Sequence, residues 1–198
     1  MRSNCSLNSQ FDKFSPSCYT MPESEVTAVK SKYLALSALF AALTALCAWL
    51  SLPLGSVTFT LQSFSVALCL LLLGGKWGTV SILVYLLLGA AGLPVFSGFR
   101  GGVGMLLGPT GGFLVGFLAM ALLFWLITAI LGEKCRFFAL LFGQLLCYGC
   151  GAAWFAFSTG NGIFPALMLC IVPYLLPDGV KLTLAWLLAK RLRRRMQI

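Results

Sequence analysis

The most constraining feature of this chain is a succession of apolar segments whose charges fall almost entirely at the breaks between them. The segments run at about 33–52, 57–74, 77–93, 111–131, 137–157 and 177–190, with a shorter apolar piece at 163–175. Several of these segments are near the lower length limit for crossing the roughly 30 Å hydrocarbon core of a bilayer. Of 198 residues, 60% are hydrophobic and 10% charged, whereas soluble domains carry about a quarter charged residues. A soluble core of this size cannot bury such an excess, because small domains leave much of their surface in water. The expected fold class is therefore all-α, a polytopic integral membrane protein of six transmembrane helices.

The breaks support that partition. Gly74-Gly75-Lys76 and Gly132-Glu133-Lys134 are tight, and 94–110 is long and glycine-rich. Pro173 and Pro177 bracket the short apolar piece, which reads as re-entrant or interfacial rather than as part of the last helix. Residues 1–29 are polar and lack an apolar signal core, so they read as a disordered tail, with Met21 as an alternative start, and 30–198 as the membrane domain.

Charge placement fixes the expected orientation. With the N-terminus in the cytoplasm, Lys30, Lys32, Lys76, Lys134, Arg136 and the terminal cluster Lys190, Arg191, Arg193, Arg194 and Arg195 all fall inside, and only Arg100 falls outside. Both termini are thus expected in the cytoplasm. The same clustering next to an apolar segment explains the net charge of +9 as a topogenic anchor, and argues against a nucleic-acid partner.

Histidine is absent, which removes the commonest general base and metal ligand. Cys47, Cys69, Cys147, Cys150 and Cys170 lie in apolar runs as small hydrophobes; Cys147 and Cys150 have no second pair at metal-ligand spacing. An intramembrane serine enzyme would have to use a Ser–Lys dyad on Lys181, with Ser97 the nearest loop serine, and a channel would need rings of charge that are not present. No cofactor or metal is expected.

Three charged residues escape the boundary pattern: Arg100, Asp178 and Lys181. Ionisable groups at membrane depth face a cavity or one another. Asp178 and Lys181, three residues apart, share a helix face, so either a private ion pair or a ligand site fits. Asp178 stands thirteen residues from the boundary at Arg191, about 20 Å, and Lys181 about 15 Å. Gln62 reaches a similar depth, about 20 Å from Gly75. With Arg100 coming from the outer loop, these groups can converge on an outward-facing pocket. Two cations suit a carboxylate or phosphate, and one carboxylate accepts N–H donors. Tyr85, Trp154 and Phe155 are available as apolar walls.

The run GAAGLPVFSGFRGGVGMLLGPTGGFLVGF beginning at Gly89, with VTFTLQSF before it and LPDGVK in the last helix, resembles the BioY family, the substrate-binding S component of energy-coupling-factor (ECF) biotin transporters. The resemblance covers about residues 34–195. It implies a six-helix protein of the cell membrane that binds biotin from outside and docks on a transmembrane coupling subunit with two cytosolic ATPases; a solitary transporter of biotin or another small carboxylate is the alternative. Carried over position by position, it implies that Arg100, Asp178, Lys181, Gln62 and Tyr85 bind substrate. Arg100 and Lys181 are assigned to the valerate carboxylate and Asp178 to the ureido N–H groups, with the exchanged arrangement also open. The paired glycines Gly101-Gly102 and Gly111-Gly112 shape the backbone and form no P-loop, since no Gly-Lys-Ser/Thr follows, so ATP hydrolysis is left to a partner. The first helix places Ala38, Ala41, Ala42 and Ala45 at three- and four-residue spacings. Small residues allow close backbone approach in lipid, and the resemblance implies that this stripe meets the coupling subunit.

Overall fold

The computed structural model describes residues 23–54, 57–160 and 162–196. The chain is mostly helical: α1 (Glu23–Trp49), a hairpin of β1 (Ser51–Leu54) and β2 (Val57–Thr60), α2 (Gln62–Ala90), α3 (Val103–Leu107), α4 (Gly111–Leu131), a 3₁₀ turn (Glu133–Cys135), α5 (Arg136–Thr159), α6 (Ile163–Cys170) and α7 (Val172–Met196). Residues up to Lys32 form a unit separate from that of Tyr33 onward. The expected disordered tail lies outside the described residues up to position 22, and from Glu23 to 29 the backbone is helical.

Among the described residues, four helical stretches are long and apolar enough to cross a membrane: Lys30–Trp49, Gln62–Ala90, Gly111–Leu131 and Glu133–Thr159. The bent pair Ile163–Cys170 and Val172–Arg194, angled at 44°, makes a fifth if taken as one span. α4 shows the physical logic most plainly. Its 21 residues give about 31 Å at 1.5 Å per residue, the thickness of the hydrocarbon core, and its sequence contains no charge.

The stretch assigned to α2 is two helices folded back on each other. Gly74, at φ 78° and ψ 179°, is non-helical, a conformation that costs glycine little and other residues much. A Cβ on Gly78 would stand 3.2 Å from the Cα of Leu70. Gln62 donates to the Tyr85 hydroxyl at 3.0 Å, across 23 residues; a straight helix would hold them about 35 Å apart. The expected break at Gly74-Gly75-Lys76 therefore separates two antiparallel arms.

Three sequence expectations are corrected. Residues 57–60 form a strand, not the start of a helix, with Leu52 paired to Phe59 and Ser51 to Thr60. Pro177 lies inside α7 rather than at its first turn. α7 begins at Val172 and so takes in the end of the 163–175 piece, with the chain bending between α6 and α7.

Small hydroxyl residues knit α1 to α2. Thr44 and Ser65 are 3.0 Å apart, and Ser81 donates to the Ser37 carbonyl at 2.8 Å. Such residues let apolar helices approach closely while satisfying their own hydrogen bonds. α4 packs on α5 and on α2, and α7 packs on α2, around a core that includes Leu70, Ile82, Met120, Phe124 and Leu140.

Candidate binding site

Where β2, the start of α2, α4, α5, α6 and α7 meet, they enclose a cavity of about 710 Å³ of atom-free space, open mouth included. The hairpin brings non-helical backbone to its wall at Thr58, Phe59 and Thr60. Such backbone is tolerated at membrane depth where it lines a cavity.

Asp178 and Lys181 form the electrostatic centre. Both are buried, at 7% and 6% exposure, and Lys181 Nζ lies 2.7 Å from Asp178 Oδ1. Neither depends on the other alone. Ser63 donates to Asp178 Oδ1 at 3.1 Å, and Tyr148 donates to Oδ2 at 2.6 Å. Lys181 also donates to the Thr60 carbonyl at 2.7 Å and sits 3.7 Å from the centre of the Phe59 ring. The pair is thus neutralised and hydrogen-bonded, as two charges withdrawn from water must be. A cation over an aromatic face gains further from the ring's quadrupole.

One lining residue stands apart. Gln144 is 5% exposed, and its Oε1 has no hydrogen-bond partner. A buried amide oxygen without a donor is costly, and here it belongs to a cavity wall. Gln144 lies one helical turn before Tyr148, hence on the same face of α5. Phe113, Phe117, Met105 and Tyr174 add apolar surface.

Of the residues singled out in the sequence, Gln62, Asp178 and Lys181 come together on this cavity. Tyr85 does not line it. It stands behind Gln62, accepting its amide hydrogen bond and donating to the Val95 carbonyl at 3.1 Å, so it positions Gln62. Arg100 is exposed and also lies off the cavity wall. Its carbonyl accepts from Phe96 N at 2.9 Å in a turn where Phe99 takes φ 56° and Gly102 φ 94°. Ser97, three residues earlier, does line the cavity. Trp154 turns away to donate to the Gly108 carbonyl, and Phe155 packs with Cys170 and Tyr174; neither forms a wall.

The alanine stripe divides. Ala41 and Ala45 are buried, at 3% and 7% exposure, within the chain's own core. Ala38 and Ala42 are exposed, beside exposed Leu34, Leu39 and Leu46. Only the second pair is available to a partner.

Tyr148, Ser63, Phe59 and Gln144 line the cavity although the sequence did not single them out. Gln144 carried a visible signal as a lone amide within the apolar run 137–157. Tyr148 carried none that separates it from ordinary packing.

A bundle of lipid-compatible helices around a cavity that holds the buried Asp178–Lys181 pair marks a multi-pass membrane protein. The BioY family model matches residues 21–198, and the chain belongs to the BioY family. It is 42% identical over 166 residues to a probable biotin transporter BioY of Pyrococcus horikoshii, covering 83% of this chain and 98% of that one. It is 40% identical over 168 residues to the biotin transporter BioY of Thermotoga maritima, covering 82% and 96%. A crystal structure of the S-component for biotin from an ECF-type ABC transporter superposes with a TM-score of 0.75 at 28% identity, covering 89% of this chain and 95% of that one.

Proposed function

We propose that this chain captures biotin from outside the cell membrane and delivers it through an ATP-driven ECF module. That module would consist of a transmembrane coupling subunit and two cytosolic ATPase subunits. Biotin is the cargo and no cofactor is required. The observation that carries the reading is the buried Asp178–Lys181 pair facing a cavity that also holds the unpartnered Oε1 of Gln144. Family membership supplies the ligand, since relatives across most of the chain's length are named biotin transporters.

The hydrogen-bond inventory assigns roles. Asp178 already accepts from Lys181, Ser63 and Tyr148, which leaves about one of its four lone-pair positions. The ureido N–H groups would therefore divide between Asp178 and Gln144 Oε1. The carboxylate would lie toward Lys181 and the loop of Ser97 and Arg100, with Arg100 joining only in the bound state. Counting the two arms of α2 separately and the bent α6–α7 pair as one span supports six crossings, an even number that fits both termini on the cytoplasmic side. The first arm is only twelve residues, about 18 Å, and would reach across the core with the help of the extended residues 57–60.

Titration of the detergent-purified chain with labelled biotin tests the proposal. One-to-one, saturable binding, displaced by unlabelled biotin, is the expected result, and Gln144→Leu should weaken it by tenfold or more with thermal unfolding unchanged. Absence of saturable binding would overturn the ligand assignment.

A further inference from the structure

A second cavity, of about 750 Å³ with its mouth included, lies at the end of the bundle that carries the C-terminus. Arg136, Lys190, Arg193 and Arg194 line it, and Glu133 is the one carboxylate among the lining residues. Four cations against one anion leave a formal charge of +3. Glu133 touches two of them, pairing with Arg136 and standing 3.5 Å from Arg193, yet its side chain is 68% exposed. Solvent screening at such exposure makes it a weak neutraliser.

The arginines are also short of acceptors. Arg136 is buried to 9% exposure; one terminal nitrogen donates to the Leu71 carbonyl at 3.1 Å and the other meets Glu133. The Nε atoms of both Arg136 and Arg193 are buried without any partner. Planar guanidinium forks of this kind match the oxygens of a phosphate. The rest of the wall is apolar, formed by Trp186, Leu71 and Ala189. A free phosphate has no use for that wall. An amphiphile does, and basic pockets between helix ends at a membrane face bind anionic headgroups.

We propose that this cavity is a binding site for the phosphate headgroup of one acidic phospholipid, held by Arg136, Arg193 and Arg194 with its glycerol and first methylenes against Trp186. The site is separate from the biotin cavity, so biotin binding reports independently on the fold.

The test uses full-length protein in neutral detergent, titrated with phosphatidylglycerol, phosphatidylcholine or inorganic phosphate and read by native mass spectrometry. One phosphatidylglycerol should be retained at least tenfold more strongly than phosphatidylcholine. Millimolar inorganic phosphate should not displace it. The double variant Arg193→Gln/Arg194→Gln, exchanging residues at the helix end, should lose that preference at least fivefold while still binding biotin. The control Lys134→Gln/Arg191→Gln removes equal charge outside the cavity and should keep it. Arg136→Gln should lose it too, and is scored only if biotin binding survives. Equal retention of the two lipids, or an equal loss in the control, would reduce the effect to general surface charge and overturn the proposal. Displacement by inorganic phosphate, or loss of coupling-subunit capture with lipid retained in the double variant, would also overturn it.

Discussion

Tyr148 on α5 donates a 2.6 Å hydrogen bond to Oδ2 of Asp178 on α7, so the carboxylate that anchors the cavity is held from a neighbouring helix as well as from its own. A hydrogen bond to a charged acceptor contributes more than a neutral one. Within a bilayer such bonds average below 1 kcal/mol and reach about 1.7. Tyr148→Phe should therefore lower stability by about 1–2 kcal/mol in thermal unfolding in detergent and weaken biotin binding by about three- to tenfold. Unchanged values in both measurements would show that the hydroxyl does not hold the carboxylate.

The ion pair can be separated into its structural and ligand-binding parts. Asp178→Asn or Lys181→Ala leaves a buried charge uncompensated, which costs about 3–5 kcal/mol. Each should cut biotin affinity by more than tenfold. The double variant Asp178→Leu/Lys181→Met removes both charges and should recover most of the lost stability, because apolar replacement of a buried pair is often neutral. Biotin binding should not return with it. Recovery of both would identify the pair as structural.

The two halves of the alanine stripe should respond differently. Ala38→Trp and Ala42→Trp place bulk on an exposed face, and should abolish co-purification of the coupling subunit and uptake while leaving biotin binding intact. Ala41→Trp and Ala45→Trp overpack a filled core, which costs about 1–3 kcal/mol or more, and should lower the unfolding temperature of the isolated chain. Full partner association in both exposed variants would move the docking surface elsewhere.

Orientation is open to labelling in a cysteine-free background. Ser97→Cys should react with an impermeant maleimide from outside, and biotin should slow that reaction because Ser97 lines the cavity. Lys76→Cys, at an exposed position in the turn, should react only after the membrane is opened. Gly75 is unsuitable, since a side chain there would collide with Trp125. Reversed accessibility would invert the assigned topology.

Residues whose placement follows from helix arithmetic were legible in the sequence. Asp178 and Lys181 sit three apart and had to share a face. Gln62 reached the same depth by counting back from the turn at Gly75, and the cavity contains all three. Arg100 was not placeable in this way, because a glycine-rich loop has no fixed rise per residue and its side chain ends outside the wall. Tyr85 was expected on the cavity and instead stands one hydrogen bond behind its wall, against Gln62. The strand Val57–Thr60 did announce itself through alternating Val57, Thr58, Phe59 and Thr60; the apolar run that follows obscured it. Tyr148 was hidden by chemistry, since a tyrosine in an apolar helix reads equally as packing.

The bond from Lys181 to the Thr60 carbonyl joins α7 to the β-hairpin across 121 residues of sequence. It works as a tie. The same ammonium is paired with Asp178, so one side chain fixes the hairpin and the buried carboxylate in a common frame, and a change at either is felt at the other.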